Sequence, residues 1–382
     1  MANRVLIVSG EASSALYAKR LLEEWNKRGI EVDAFGVGST EMEDMGFQCL
    51  GRSEEMGVVG FKEVIRHYFD FRKVFDSILE ACDKNPPKFA LLLDYPGFNL
   101  RLAKKLHEKG IKVIYYISPQ LWAWKKDRIK DVQKYVDKML VLFPFEKDFY
   151  DEHKVSSSFV GHPILDELKA ENLTEESRIE QRSRIGIEET DLLVGLMPGS
   201  RQSELDHHLE TQMQTAAKLY EKHPATRFAL LVAPGLSVDE IKARLPVYDF
   251  PLSLIQDDPL KMVNMTDYVL TASGTATLVV GLLKKPMVVM YKMNSMSAWL
   301  AKLIVKGVDR FSMVNIVMNK DVVPEYFQEE ASPEALANVL SEWISQPSVP
   351  EGIATELESL HSTLGAQGAT SRVADQLKEF LA

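Results

Sequence analysis

The chain repeats one device: a short unbroken apolar run, then a stretch with helical spacing. RVLIVSG, Arg4–Gly10, is the first such run. A segment apolar at every position, rather than at alternate ones, is a strand covered on both faces. VDAFGVG, FALLLD, KVIYYIS, KMLVLFPF and SSSFVGHP follow. Helical patterns lie between several of them, including Ser13 to Lys27 and Phe61 to Leu79. Parallel strands cannot be joined by tight turns, so this alternation predicts a parallel sheet wrapped by helices.

After Pro163 the charged stretch DELKAENLTEESRIEQRSR breaks the pattern and reads as a linker plus a solvated helix. The alternation then restarts in DLLVGLMPGSR, RFALLVAP, PLSLIQ, DYVLTASGT and PMVVMYK. From Ser332 onward there are three helical patterns and no strong strand. The fold class expected is α/β, with two Rossmann-like domains facing across a cleft and the C-terminal helices packing back on the first. The boundaries expected are 1–165, 166–335 and a helical tail, 336–382. In such sheets ligands sit beyond the carboxyl ends of the strands.

A chain of 382 residues, 46% hydrophobic and 26% charged, has apolar mass for two cores. A formal net charge of -10 argues against a general nucleic-acid binder. Two cysteines, Cys49 and Cys82, form neither a metal cluster nor a disulfide framework, which fits a reducing cytoplasm. The first strand begins almost at Met1, so no signal peptide is expected. No apolar run is long enough to span a bilayer, and any membrane contact is expected to be peripheral.

The second repeat carries the phosphate signal. LMPGSRQSE sets Pro198-Gly199-Ser200-Arg201 between a strand and a helix. Glycine permits close backbone approach, a helix start offers N–H groups, and Arg201 can fork onto a phosphate. Ser273-Gly274-Thr275 repeats the device, so the pair fits a diphosphate held from two sides. Either turn alone is equally a capped helix start.

The first repeat carries acids instead. Glu11 follows RVLIVSG and Asp94 follows FALLL. A carboxylate there is a candidate general base toward an attacking hydroxyl, or a helix cap. Ser118, Pro119 and Gln120 lie past the next strand. Trp122 and Trp124, followed by Lys125, Lys126 and Arg128, fit either a lipid phosphate contact or core tryptophans beside a solvated face. His162 is a cleft histidine or a loop residue. Glu204, His207 and His208 share a helix without metal-site spacing, and no Asp-x-Asp clamp for a magnesium diphosphate is present. No metal and no cofactor are expected.

On the helix from Phe61 to Leu79, residues Phe61, Val64, Ile65, Tyr68, Phe71, Phe75 and Leu79 form an apolar face. Lys62, Arg66, Arg72 and Lys73 occupy the remainder, with Phe69 among them. That mixture fits a membrane-surface helix as well as an amphipathic core helix. Ser297 to Phe311 has similar chemistry.

The chain resembles the lipid-A-disaccharide synthase family from end to end. The matching segments are GEAS (Gly10–Ser13), MGVVGFKEV (Met56–Val64), LDYPGFN (Leu93–Asn99), YISPQLWAW (Tyr116–Trp124), LFPFEKDFY (Leu142–Tyr150), GHP (Gly161–Pro163), PGSRQSE (Pro198–Glu204), ASGTATL (Ala272–Leu278) and VPEYFQEE (Val323–Glu330). The resemblance implies a two-domain GT-B glycosyltransferase, inverting and metal-free. It would join a UDP-linked diacylglucosamine donor to a diacylglucosamine 1-phosphate acceptor at the inner face of the cytoplasmic membrane. It implies Asp94 as base, with Glu11 orienting the acceptor or assisting the base. Ser13, Asn99, Ser118 and Gln120 would line the acceptor side. Gly199, Ser200, Arg201, Ser273, Gly274, Thr275, Asn315, Gln328 and Glu329 would hold the donor. Lys62, Arg66, Phe69, Arg72 and Lys73 would meet the membrane. Partners implied are the two acylated sugars and the inner membrane surface, with no nucleic acid; the oligomeric state, a homodimer included, stays open.

Three positions depart from the family pattern. Ser14-Ala15 stands where the family has Gly-Asp, Val279 where it has Glu, and Val314 where it has Pro. Val279 cannot accept a hydrogen bond from a ribose hydroxyl. Two competing readings follow: a divergent, non-catalytic paralogue that binds acylated sugar or nucleotide, and another GT-B UDP-sugar enzyme.

Overall fold

The computed structural model describes residues 3–56, 63–122, 126–168, 173–293 and 310–381. The chain divides into two compact units. One comprises residues 1–166 with 364–382, the other 167–363.

The first unit is a seven-stranded sheet of order β3-β2-β1-β4-β5-β6-β7. The strands are β1 Asn3–Ser9, β2 Val32–Gly38, β3 Gln48–Arg52, β4 Phe89–Leu93, β5 Lys112–Tyr116, β6 Lys138–Val141 and β7 Ser157–Phe159. Every pairing is parallel. Val5, Leu6, Ile7 and Val8 of β1 are wholly buried, as a strand covered on both faces requires. The helices used below are α1 (Ala12–Lys27), α2 (Glu63–Lys84), α3 (Pro96–Glu108), α4 (Ile129–Tyr135) and α5 (Pro144–Glu152). The chain leaves β1 toward β2 and returns through β4 toward β5. The β1/β4 boundary is therefore the topological switch point, where the two flanking loops diverge and leave a crevice.

The second unit repeats the plan with order β10-β9-β8-β11-β12-β13. Its strands are β8 Leu192–Met197, β9 Thr226–Leu231, β10 Leu252–Ile255, β11 Tyr268–Ala272, β12 Met287–Tyr291 and β13 Glu325–Phe327. Its helices used below are α6 (Glu175–Arg184), α7 (Gln202–Lys222), α8 (Ala276–Leu282), α9 (Met313–Met318), α10 (Pro333–Ser345) and α11 (Ser348–Thr363). Here the switch point lies between β8 and β11.

The three helices expected after Ser332 are present, but the tail is not a separate block. α10 and α11 belong to the second unit, and only α12, Ala369–Leu381, returns to the first. α12 is tied there by Arg28–Asp375 at 2.7 Å and by the Phe89 and Phe380 rings, 5.9 Å apart. Two edge strands, β3 and β13, have no apolar run; β3 is QCLGR and only partly buried.

α6 is the helix expected to be solvated, and it is not. Arg182 on it is fully buried. Its guanidinium donates to the carbonyls of Met265, Glu188 and Asp191 and lies 3.3 Å from Asp267. Asp267 also accepts the Leu193 N–H at 2.7 Å and pairs with Arg178 at 2.6 Å. The amino ends of β8 and β11 thus share one ion cluster with α6. Arg182→Met leaves buried carbonyls and a carboxylate short of donors. It is expected to lower the stability of the second unit by about 3 kcal/mol or more, read as a lower urea midpoint. A midpoint equal to that of the wild type would contradict this role.

Candidate active site

In the first unit, Ser9 pairs with Leu93 across the switch point. Glu11 therefore follows β1, and Asp94 follows β4, on the same sheet edge. The turn after β4 is forced. Asp94 and Tyr95 both have φ of 47°, and Ile117, after the neighbouring β5, has φ of 67°. Left-handed backbone is unusual for any residue but glycine and is an outlier for a β-branched one. Such strain persists only where surroundings impose it, and it clusters at functional sites.

The surroundings here are specific. Asn99, without solvent exposure, donates from Nδ2 to the Leu93 carbonyl at 3.0 Å and to the Asp94 carbonyl at 2.8 Å. The Tyr115 hydroxyl donates to the same Asp94 carbonyl at 2.5 Å, and the Asp94 N–H donates to Tyr116 at 3.0 Å. The Tyr95 ring lies against Gly10, where any Cβ would come within 2.7 Å of ring carbons. Gly10 is thus required by close approach. On the β1 side the Glu11 N–H donates to Ser14 Oγ, which donates back to the Glu11 carbonyl at 2.8 Å. This hydroxyl is what Ser14 supplies in place of glycine. Ala15 beside it is 1% exposed.

The expected acceptor residues separate into two kinds. Ser13 and Gln120 are exposed and open to a ligand. Asn99 and Ser118 are buried and bonded to the protein, Asn99 through Nδ2 while its Oδ1 has no partner, so they position other groups instead of presenting themselves. Ser118 Oγ donates to Glu146 Oε1 at 2.7 Å. Glu146, at the start of α5, also accepts the N–H groups of Leu142 and Phe143 at 3.2 and 3.3 Å. Glu146 escaped the sequence reading, although its motif was noted; nothing in a charged residue near a helix start announces burial. His162, 2% exposed, accepts the Ile164 N–H at Nδ1, which makes it a loop residue.

In the second unit both turns flank the β8/β11 switch point. Gly199 has φ of 133°, and a Cβ there would strike the Glu204 side chain. Glu204 Oε2 accepts the N–H groups of Ser200 at 2.7 Å and Arg201 at 3.3 Å. The helix-start N–H groups expected to meet a phosphate are therefore occupied by a carboxylate of the protein's own. His208 braces the turn. Its Nδ1–H donates to the Pro198 carbonyl at 2.9 Å, and Nε2 accepts the Lys292 N–H at 3.0 Å. Ser273 Oγ donates to the Phe311 carbonyl at 2.7 Å, while Gly274 and Thr275 are exposed.

Asn315 is buried and saturated. Nδ2 donates to Val323 and Glu325, and Oδ1 accepts from Val322 and Val323. It has no hydrogen bond left for a ligand and acts through the loop it ties. Gln328 Nε2 donates to Met293, Glu329 is exposed, and Val279 is half-buried. Val314, in place of proline, is buried against Gly281.

Of the membrane-contact residues, Lys62 and the side chains of Arg66 and Phe69 lie outside the described residues, as does most of 297–311. Arg72 and Lys73 are exposed on α2, each about 4 Å from an aspartate of the same helix. Phe71, Val74, Phe75 and Leu79 pack against the core, and the Phe75 ring meets Phe98 at 5.4 Å. Among the described residues no helix is long and apolar enough to cross a membrane.

Two buried groups of the first unit titrate with opposite sign. Burial pushes the Glu146 carboxyl up to about 7. The folded state then holds a proton that the unfolded chain has released, and stability from this group falls as pH rises from about 4.5 to 7. Burial pushes His162 down to about 4, so its contribution is lost as pH falls from 6.5. Relative to the wild type, Glu146→Gln is therefore expected to gain stability between pH 4.5 and 7, by on the order of 3 kcal/mol. Urea titrations at the two pH values check this, and a difference that does not change with pH rules it out.

The family model described as lipid-A-disaccharide synthetase matches residues 5–376. A lipid-A-disaccharide synthase of Trichlorobacter lovleyi is 36% identical over 371 residues, covering 97% of this chain and 96% of its own. One from Geobacter sulfurreducens is 34% identical over 379 residues, covering 99% and 97%. Among solved structures, the UDP-GlcNAc 2-epimerase of Neisseria meningitidis bound to UDP-GlcNAc superposes with a TM-score of 0.67 at 12% identity, covering 98% of this chain and all of that one. The glycotransferase of kitacinnamycin gives 0.62 at 14%, with both chains fully covered. These two likenesses establish the shared GT-B fold. Matched over nearly its whole length, the chain belongs to the lipid-A-disaccharide synthetase family and is a glycosyltransferase of the GT-B fold.

Proposed function

We propose that the chain transfers 2,3-diacylglucosamine from its UDP-linked form to 2,3-diacylglucosamine 1-phosphate, releasing UDP. The observation that carries this reading is the division of chemistry between two switch points. Carboxylates flank the one in the first unit, and glycine-hydroxyl turns with an arginine flank the one in the second. In an inverting displacement the acceptor hydroxyl attacks the anomeric carbon from the face opposite the leaving group. Asp94 takes the hydroxyl proton as the new C–O bond forms and the bond to the diphosphate oxygen breaks. Glu11 orients the acceptor sugar. The leaving UDP carries the negative charge that develops, and Arg201 with the Gly274-Thr275 turn stabilises it. Arg72 and Lys73, exposed on α2, meet an anionic bilayer surface and bring the reaction to acylated substrates peripherally.

Asp94→Asn keeps the shape of the turn and removes the base. It is expected to lower kcat by about 100-fold or more with little change in UDP affinity, measured as UDP release from the two acylated sugars. Full activity in the variant removes Asp94 from this role.

Val279 supports the competing reading of a binding-only relative, because it offers no acceptor to a ribose hydroxyl. Titration calorimetry with UDP addresses this. Micromolar to millimolar binding that weakens about 10- to 100-fold in Arg201→Ala is the expected result. Absence of binding at millimolar UDP would sink the transferase reading, and binding without transfer of the acylated sugar would favour the relative.

A further inference from the structure

A cavity of about 180 Å³ opens in the first unit between α3 and α4, and no role assigned above uses it. Its walls are one face of α3, with Gly97, Arg101 and Lys104, and one face of α4 with its lead-in, Arg128, Asp131 and Tyr135. Arg101, Lys104 and Arg128 make no hydrogen bond or ion pair among the described residues. Their neighbours do: Lys105 pairs with Glu108 at 2.7 Å, and Lys109 with Asp83. Three cations without an ion pair border one cavity whose lining holds one carboxylate, Asp131; Glu108, outside the lining, also interacts electrostatically with Lys104. Mutual repulsion makes such a cluster unfavourable unless an anion joins it. The space is too small for a whole glycolipid, since ligand pockets are about 300 Å³ and upward, but it admits one compact anionic group. Pro96 also lines it, two residues past Asp94. Arg128 acts electrostatically on Tyr115, whose hydroxyl donates to the Asp94 carbonyl.

We propose that this cavity is a phosphate-monoester subsite in which Arg101, Lys104 and Arg128 hold the 1-phosphate of the acceptor, setting the acceptor's register against Asp94. The proposal rests on the acceptor side being the first unit. Guanidinium groups suit the task because they present paired donors to phosphate oxygens. The sugar hydroxyl then reaches the carboxylate while the phosphate stays anchored on the helix pair beside it.

The test compares the wild-type enzyme with Arg101→Ala/Lys104→Ala/Arg128→Ala and with single Arg101→Gln. Each is assayed with acceptors that carry or lack the 1-phosphate. The expected result is a KM for the phosphorylated acceptor raised about 10-fold or more in the triple variant, with the donor KM unchanged. The single variant should fall between. The phosphate-free acceptor should be used equally by all three. An unchanged KM, or equal loss with both acceptors, overturns the proposal. Binding of glucosamine 1-phosphate, followed by NMR without turnover, separates this idea from the transferase reading. Binding that the triple variant abolishes supports the subsite even if no transfer occurs, and equal binding by both proteins counts against it. Sedimentation with phosphatidylglycerol vesicles distinguishes a lipid headgroup as the source. Loss of vesicle binding with an unchanged acceptor KM would assign the cations to the bilayer and overturn the subsite.

Discussion

The first unit's site depends on two hydrogen bonds from one buried amide. Asn99 Nδ2 holds the carbonyls of Leu93 and Asp94 together, so β4 cannot continue past Leu93. The chain turns instead through two consecutive left-handed residues. Each such residue costs on the order of 1–3 kcal/mol, comparable to what one or two net hydrogen bonds contribute. The Tyr115 hydroxyl and the packing of the Tyr95 ring on Gly10, Phe71 and Phe98 supply further constraint. A turn held from three sides places the Asp94 backbone at the switch point independently of any ligand. That preorganisation is what a group aimed at one proton needs.

Much of this arrangement was legible in the sequence, for a definite reason. A strand buried on both faces must be apolar throughout, so β1, β4, β5, β8 and β11 announce themselves. The residues just past them, Glu11, Asp94, Ser118, Arg201 and Ser273, are then located by topology alone. β3 and β13 were not legible because QCLGR and EYF carry no continuous apolar run, which an edge strand with one neighbour tolerates. Arg182 on α6 was misread for a related cause. Its helix is polar at every position but Ile179, yet the guanidinium is buried against carbonyls contributed by loops 6 to 83 residues away in sequence.

The same limit governed the site residues. Sequence places a side chain near a strand end but does not say whether its hydrogen bonds are spent. Asn99 and Ser118 lie in matching segments, Asn315 was a donor-site candidate, and all three turn inward. Each holds backbone or a second side chain, and Asn315 uses both donors and both acceptor sites on the segment Val322–Glu325. Glu146, Glu325 and His208 were hidden for the converse reason. Most of their partners are main-chain groups, which carry no residue-type signal. Glu325 takes the N–H groups of Phe311 and Ser312, as Glu146 takes those of Leu142 and Phe143.

The turn after β8 shows why this matters for ligand binding. The Ser200 and Arg201 N–H groups lie at a helix start and have no intrahelical acceptor. Glu204 satisfies them and, by its own negative charge, complements the start of a 21-residue helix. A phosphate cannot share that space with a carboxylate without strong repulsion. For a diphosphate to use these N–H groups, Glu204 must swing away from them. The Glu204 oxygen would then be exchanged for a phosphate oxygen at nearly constant hydrogen-bond count. Affinity would come less from those N–H groups than from the positive charge of the Arg201 guanidinium, which lies 3.8 Å from Glu204 beside the same turn. The charge on Arg201, more than the glycine turn, would therefore dominate anion affinity on this sheet.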